Sequence, residues 1–247
     1  IRGGVFRRAV DYVRAVDDVS FDLHAGKTLA LVGESGCGKT TVGKAILQLL
    51  KSNQGSVLFQ QHDLQSLNNE ALRKTRRDLQ IVFQDPYSSL NPRMLVGDIL
   101  EEGMTALAVL KTAQDRKRKI KLLLDQVGLP ADSVLRYPHE FSGGQRQRIS
   151  IARALAVEPK LIVCDEPTSA LDVSVQAQVL NLLIDLQAEL GMSYLFITHD
   201  MAVVSYLADE VAVMHQGQIV EQGPTDQILL QPQHSYTQKL LAAVPSL

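Results

Sequence analysis

Short apolar stretches alternate with amphipathic stretches along most of the chain. The stretches 28–32, 79–84, 161–166 and 194–198 carry few polar residues, as strands buried inside a parallel sheet do. A segment with an apolar residue every three or four positions follows each of them, most clearly at 173–190. Strands that alternate with helices predict an α/β fold with a mostly parallel core sheet.

Two regions depart from that alternation near the start of the chain and near its end. Residues 13–26 alternate apolar and polar side chains, which predicts a half-buried antiparallel strand closed by a turn at 25–27. The stretch 55–59 predicts another strand of the same small sheet. The pair 211–214 and 218–220, split by Gln-Gly, predicts a hairpin.

The middle of the chain has helical periodicity without an intervening strand. Residues 85–94 are rich in turn formers and predict a loop. From 96 to 129 the apolar spacing predicts two or three helices. We therefore expect a helical insert in the α/β core, with a helical subdomain at about 96–158 of a single domain at 1–247.

The stretch 33–40, GESGCGKT, fits the phosphate-loop pattern G-x-x-x-x-G-K-[ST] at every position. It lies between a predicted strand and a predicted helix, which is the setting that the pattern requires. Glycines let the backbone approach an anion, and helix N-terminal amides attract negative charge. We expect a bound nucleoside triphosphate, with Lys39 at the β- and γ-phosphates and the Thr40 hydroxyl on Mg²⁺. The expected phosphate-binding residues are Gly33, Glu34, Ser35, Gly36, Cys37, Gly38, Lys39, Thr40 and Thr41.

A second helix start suited to anion binding lies at 141–148, FSGGQRQR. Ser142 is a favoured N-cap residue, and the glycines at 143 and 144 would leave backbone amides open. The same residue types also begin ordinary capped helices. This stretch alone therefore leaves both interpretations open.

Polar side chains with catalytic potential follow two of the predicted buried strands. Asp165 and Glu166 end the strand 161–166, and His199 follows the strand 194–198. Ligands of parallel sheets bind at the C-terminal ends of the strands. We expect Asp165 to hold Mg²⁺, directly or through water, and Glu166 to accept a proton from an attacking water.

Composition narrows the class of protein without deciding its function. The 247 residues include 45% hydrophobic and 21% charged residues, which is ordinary for a globular domain. The net charge of -2 gives no reason to expect a nucleic-acid partner. No apolar run approaches the ~18–20 residues of a membrane-spanning helix, so we expect no span in this chain.

Set side by side, these motifs resemble those of the ATP-binding cassette (ABC) ATPases, over essentially residues 10–245. The resemblance implies the P-loop NTPase ABC ATPase fold, with a mostly parallel core sheet, an antiparallel β subdomain and a helical insert. It also implies ATP and Mg²⁺ at the site. The motifs occur in the family's order: the phosphate loop, Gln84, the signature Ser142–Gln145, Asp165–Glu166, the loop Ser169–Asp172 and the switch residue His199.

The resemblance assigns a role to each motif. Glu166 would be the general base, His199 would contact the γ-phosphate, and Gln84 would sense Mg²⁺ and the attacking water. In the family, two cassettes form a head-to-tail dimer, and the signature of one closes over the ATP of the other. Contacts to that ATP are implied for Ser142, Gly143, Gly144, Gln145 and Asp172, and metal contacts for Thr40, Gln84 and Asp165.

Two stretches resemble one branch of the family, the importer ATPases for oligopeptides and dipeptides. They are QDPYSSLNPR at 84–93 and QHSYTQKLL at 233–241, within a tail at 224–247. The branch serves peptide uptake and, in some members, nickel uptake. It implies a peripheral place on the cytoplasmic face of the inner membrane, and permease subunits docked at the Gln84–Met94 loop. An external substrate-binding protein would act indirectly.

The chain is also similar to peptide importers whose two cassettes are fused in one polypeptide. It begins at Ile1 rather than at methionine, which would suit a C-terminal cassette of such a fusion. The partner cassette would then be fused, identical or separate. The residue that stacks on adenine is expected upstream of Ile1, with Phe6 and Tyr12 as weaker candidates.

Three other classes of protein share part of the pattern. A DNA-repair or chromosome-maintenance ATPase would carry long coiled coils between the phosphate loop and the signature, and 41–141 has no sustained heptads. A ribosome-associated cassette protein would need two cassettes and a basic linker. A phosphate-loop kinase or GTPase gives no reason for the signature. We therefore expect an importer motor, with nickel or another small solute as the alternative cargo to peptide.

Overall fold

The computed structural model describes residues 2–3, 8–9 and 14–243, of which the first two pairs are described as backbone only. The strands are β1 (Arg2–Gly3), β2 (Arg8–Ala9), β3 (Thr28–Val32), β4 (Leu58–Phe59), β5 (His62–Asp63), β6 (Leu79–Val82), β7 (Leu161–Asp165), β8 (Ser193–Thr198), β9 (Glu210–His215) and β10 (Gln218–Pro224). The helices are α1 (Lys39–Ile46), α2 (Asn69–Thr75), α3 (Pro86–Ser89), α4 (Val96–Ala106), α5 (Ala113–Gln126), α6 (Gly143–Leu155), α7 (Val173–Leu190), α8 (Met201–Leu207), α9 (Thr225–Leu230) and α10 (Ser235–Ala242).

A six-stranded sheet in the order β10-β9-β3-β8-β7-β6 forms the centre of the fold. Every neighbouring pair in it is parallel except the edge pair β9–β10. The strands β3, β7 and β8 are buried at every position, because helices cover both faces of the sheet. The four apolar stretches of the sequence all lie in this sheet, so the prediction of an α/β fold is confirmed.

Of the three apolar cores among the described residues, the two largest lie on opposite sides of the sheet. The larger core joins α4, α5, α6 and α7 to residues of β7 and β8 such as Ile162 and Phe196. The other core contains Val42 of α1, together with Val163 and Ile197 of the same two strands. No strand interrupts the stretch from α4 to α6, so the predicted helical insert is present and packs on one face only.

The predicted antiparallel strand at 13–26 is wrong over its described part. Residues 14–24 form no strand, although Val19, Phe21 and Leu23 face the core while their neighbours face solvent. Extended backbone alternates its side chains whether or not it pairs with a neighbour, so the pattern reported side-chain direction and not pairing. The turn is confirmed, since the Lys27 amide donates to the His24 carbonyl at 3.2 Å.

Among the described residues, antiparallel pairing before β6 occurs in short hairpins. The predicted strand 55–59 shrinks to β4, which pairs with β5. The strands β1 and β2 pair in the same way. The predicted strand 218–220 extends to Pro224 and forms the antiparallel edge of the central sheet with β9.

The loop predicted at 85–94 contains one turn of helix, α3. Asp85 caps it, because its carboxylate accepts a hydrogen bond from the Tyr87 amide at 2.8 Å, and Pro86 occupies the first helical position. Proline is favoured there because the first turn does not need its missing N–H. The turn-forming residues of this stretch therefore start a helix instead of excluding one.

Helix length and hydropathy also bear on the membrane question. Within the ranges described above, no helix is long and apolar enough to cross a bilayer.

Candidate functional site

The phosphate loop runs from the end of β3 to the start of α1. Gly33 has a φ of 152° and Gly38 a φ of 110°. A Cβ on Gly33 would lie 2.1 Å from the Met214 carbonyl oxygen, and one on Gly38 would lie 2.1 Å from that of Ala15. Only glycine fits both positions. Gly38 is the N-cap of α1, and no side chain caps that helix, so its first amides are open to an anion.

Lys39 lies beneath this loop and is only 4% exposed. Its Nζ donates hydrogen bonds to the carbonyl oxygens of Gly33 at 2.7 Å and of Glu34 at 2.9 Å. A buried ammonium group needs such partners, because burying a charge alone is costly. The loop therefore holds the positive charge at the place where the sequence predicts β- and γ-phosphates.

Thr40 and Asp165 meet at the floor of the site. The Thr40 hydroxyl donates to Asp165 Oδ1 at 2.8 Å. Burial raises the pKa of the Asp165 carboxyl, while the Thr40 hydrogen bond and the charges of Lys44 and Lys39 oppose that rise. A hydroxyl and a carboxylate side by side are the hard oxygen ligands that Mg²⁺ prefers, so the residues present fit the predicted metal.

Glu166 is the meeting point of three strand ends. The Gln84 amide nitrogen donates to Glu166 Oε2 at 3.1 Å, and His199 Nδ1 lies 3.3 Å from the same oxygen. The Glu166 backbone has a φ of 47°, a conformation that non-glycine residues seldom adopt and that recurs at functional sites. Its amide donates to the Ile197 carbonyl at 2.9 Å, which ties this conformation to β8.

Most of these groups line one cleft of about 800 Å³, and Asp165 contacts it through Thr40. Phe6 and Tyr12, the candidates for stacking on adenine, lie outside the described residues. Cys37 is not among the lining residues, and it is only 9% exposed. The lining residues are Ala15, Gly33, Glu34, Ser35, Gly36, Gly38, Lys39, Thr40, Thr41, Gln84, Glu166, Ser169, Ala170, His199 and Leu240.

The signature residues lie elsewhere. Ser142 caps α6, because its hydroxyl accepts from the Gln145 amide at 3.3 Å while Gln145 Oε1 accepts from the Ser142 amide at 3.0 Å. Asp172 is exposed at the start of α7 and makes no capping bond. In the described part of the chain, none of Ser142, Gly143, Gly144, Gln145 and Asp172 lines the cleft.

Sequence reasoning missed two residues of the tail that reach the site. The Tyr236 hydroxyl accepts a hydrogen bond from the Glu34 amide at 3.1 Å, and Leu240 lines the cleft. Both lie on α10, four positions apart, where helical side chains share one face. That spacing of two apolar residues in the tail was the available signal, but it does not say which surface the helix covers.

Comparison with known proteins adds the family. Residues 16–169 match the profile of the family described as ABC transporter. The chain is 52% identical over 234 residues to the oligopeptide transport ATP-binding protein OppF of Bacillus subtilis, covering 94% of this chain and 77% of OppF. It is also 52% identical over 245 residues to the glutathione import ATP-binding protein GsiA of Escherichia coli, covering 99% of this chain and 39% of GsiA. The chain thus spans well under half of the GsiA relatives.

Two solved structures have the same fold. The cbiO1 protein of Clostridium perfringens, part of the ABC transporter complex cbiONQ, aligns with a TM-score of 0.78 and 28% identity over 88% of this chain and 84% of its own. The ATP-binding cassette MJ0796, as a dimer bound to ADP and Pi, aligns with a TM-score of 0.79 and 27% identity over 88% and 94%. Together with the profile match, these relatives establish that the chain belongs to the ABC transporter family as an ATP-binding cassette.

Proposed function

We propose that this chain is the ATP-hydrolysing motor of an importer for peptides. The observation that carries the proposal is the convergence of separate motifs on one cleft. The buried Lys39 ammonium and the Thr40 hydroxyl lie at the start of α1, while Asp165 ends β7 and Glu166 follows it. Gln84 after β6 and His199 after β8 meet the Glu166 carboxylate. This is the equipment needed to bind a triphosphate and to activate a water beside it.

Each group of the cleft has a distinct task in this proposal. The open amides of α1 and the Lys39 ammonium would bind the β- and γ-phosphates. Glu166 would take the proton of the attacking water as general base. Gln84 and His199, both on Glu166 Oε2, would orient that carboxylate. Gln84 would also sense Mg²⁺ and the attacking water, and His199 would contact the γ-phosphate. Mg²⁺, held by Thr40, Asp165 and Gln84, would neutralise charge on the phosphate oxygens.

A second cassette would complete the site. Ser142–Gln145 and Asp172 lie outside the cleft of their own chain, so in a single chain the signature has no phosphate to bind. MJ0796 is described as a dimeric cassette, which supports a head-to-tail pair here. Two copies related by a twofold axis would enclose two ATP molecules at one interface, with the partner identical, separate or fused.

The Gln84–Met94 loop would receive the permease subunits. Three contacts join it to the signature helix α6: the Arg146 guanidinium lies 3.9 Å from the centre of the Tyr87 ring, the Ser89 hydroxyl lies 3.2 Å from that of Ser150, and the Ser89 carbonyl accepts from Arg153. Because Gln84 begins the same loop and lines the cleft, a subunit docked there would be linked both to the cleft of this chain and to its signature helix α6. The chain would sit on the cytoplasmic face of the inner membrane.

Peptide is the cargo class that the relatives support. OppF is named for oligopeptide transport and GsiA for glutathione import, and glutathione is itself a small peptide. Nickel or another small solute is the alternative. In either case an external substrate-binding protein would choose the cargo, and no nucleic acid would be involved.

The decisive experiment is the variant Glu166→Gln in the purified protein. ATP binding should remain, while steady-state hydrolysis falls roughly 10²–10⁴-fold, the usual contribution of a general base. Glu70→Gln is the control, because Glu70 is an exposed carboxylate of α2 that pairs with Lys74. Near-normal turnover by Glu166→Gln would remove Glu166 from this role.

The transport part of the proposal needs its own test. The protein, expressed from its native locus with an affinity tag, should co-purify with two multi-span membrane proteins. Reconstituted with them, it should support ATP-dependent uptake of labelled oligopeptide or glutathione. Co-purification with ribosomes or DNA-bound protein instead would contradict the importer assignment.

A further inference from the structure

Helix α10 meets the phosphate loop through a hydrogen bond to Tyr236. The Tyr236 side chain is buried, with 9% exposure, and its hydroxyl accepts a bond from the Glu34 amide at 3.1 Å, across 202 positions of sequence. Its ring packs on the His215 imidazole, with the ring centres 3.9 Å apart. Burial of the side chain and packing of the ring on His215 therefore hold the Tyr236 hydroxyl in place.

The bonded amide belongs to a peptide group that also contacts Lys39, the lysine of the phosphate loop. The Glu34 N–H and the Gly33 carbonyl are the two ends of one peptide unit. The N–H donates to Tyr236, and the carbonyl accepts from Lys39 Nζ at 2.7 Å. Because a trans peptide is planar and its N–H and C=O point in opposite directions, fixing the N–H also fixes the direction of the carbonyl.

The base of α10 is anchored to the edge of the central sheet. The Glu221 carboxylate of β10 accepts hydrogen bonds from the Gln233 amide at 2.7 Å and from the His234 amide at 3.1 Å. His234 Nδ1 in turn accepts from the Tyr236 amide at 3.2 Å. The tyrosine is thus tied to the sheet on one side and to the phosphate loop on the other.

We propose that Tyr236 is a positioning residue for ATP binding, which sets the Lys39 ammonium through the peptide unit between Gly33 and Glu34. This inference rests on the proposed role of Lys39 at the phosphates. Removing the hydroxyl frees that peptide unit to rotate, so the carbonyl no longer holds the ammonium at one point of the loop. The tail then acts on nucleotide affinity without touching the nucleotide.

The variant Tyr236→Phe tests this proposal, because it removes the hydroxyl and keeps the ring that packs on His215. The matched control is Tyr206→Phe, which removes the hydroxyl of an exposed tyrosine on α8 that bonds Asn181. We expect Tyr236→Phe to raise the dissociation constant and the KM for ATP about 2- to 10-fold, the contribution of one neutral hydrogen bond. The kcat at saturating ATP should stay at the value of the control.

A second readout reports the contact itself, without nucleotide. In ¹⁵N spectra the Glu34 amide of the wild-type protein should be protected from hydrogen exchange, and Tyr236→Phe should shift its resonance and speed its exchange. Rapid exchange of this amide in the wild-type protein, or unchanged ATP affinity in Tyr236→Phe, would overturn the proposal. Either result would leave the role of Lys39 standing, whereas ATP binding by Lys39→Ala would refute the phosphate-loop assignment itself.

Discussion

Two helices of this protein begin with glycine-rich turns, and their N-termini are built in opposite ways. At α1 the N-cap is Gly38, which offers no side chain to the helix amides. At α6 the N-cap is Ser142, which forms a capping box with Gln145. The Ser142 hydroxyl accepts from the Gln145 amide, and the Gln145 side chain accepts from the Ser142 amide. The first amides of α1 lack a side-chain cap, whereas those of α6 are capped by Ser142.

The two turns also differ in which of their glycines the fold requires. A Cβ on Gly38 would collide with a backbone carbonyl at 2.1 Å, whereas a Cβ on Gly143 would meet only the Leu171 side chain, at an ordinary 3.5 Å. Gly144 is needed for packing, since a Cβ there would lie 2.3 Å from Val175. The chain's own fold therefore requires glycine at 38 and at 144 but not at 143. A half-buried glycine at 143 without a folding reason favours close approach by an external group.

The largest expected effect is on ATP affinity, and it distinguishes the N-terminus of α1 from that of α6. Lys39→Ala should abolish measurable ATP binding, because the buried ammonium is the positive charge at the open terminus. Lys74→Ala is the control, since Lys74 is an exposed lysine of α2. Isothermal titration with ATP measures both. Unchanged binding by Lys39→Ala would show that α1 is no more a phosphate site than α6.

An intermediate effect is expected on folding. Gly38→Ala should lower the free energy of unfolding by about 1–3 kcal/mol, because it combines a clash with a positive φ. Gly143→Ala should change it by less than about 0.5 kcal/mol, because a Cβ there would meet the Leu171 side chain at an ordinary distance. Urea unfolding followed by circular dichroism compares the two variants. Equal losses would contradict the difference drawn between the turns.

The smallest expected effect concerns the cap of α6. Ser142→Ala should cost about 1 kcal/mol of stability, the usual value of an N-cap side chain. Asn68→Ala is the matched control, because Asn68 caps α2 through a 2.9 Å bond to the Ala71 amide. If α6 serves the ATP of a second cassette, only Ser142→Ala should also reduce hydrolysis in the assembled dimer while leaving ATP affinity of the single chain intact. Equal hydrolysis by the two variants would contradict that role.

Much of the central sheet was predictable because its strands are continuous apolar runs. The stretch 161–166 differs from β7 by one residue, and α7 has the predicted bounds of 173 and 190. The segment 14–24 was not predictable as unpaired, because alternation reports which way side chains face and pairing needs a partner strand. The helix α3 could not be predicted, because Pro86 and Ser88 are typical both of turns and of helix starts.

The site was predictable as a set of residues but not as a set of contacts. Motif spacing indicates that Gln84, Glu166 and His199 each follow a strand, and the order of the strands in the sheet makes them neighbours. That Gln84 and His199 share one oxygen of Glu166 depends on side-chain geometry that the sequence does not encode locally. The Tyr236–Glu34 bond is harder still to predict, because it joins residues 202 positions apart.

The left-handed backbone at Glu166 has a practical consequence for enzymology. With φ at 47° and the amide bonded to the Ile197 carbonyl, the main chain fixes the direction in which the Glu166 side chain leaves the backbone. Glutamine has nearly the same shape as glutamate, so its side chain leaves the backbone in the same direction. Rates measured on such a replacement will therefore report the loss of the carboxylate that accepts the proton and that Gln84 and His199 contact.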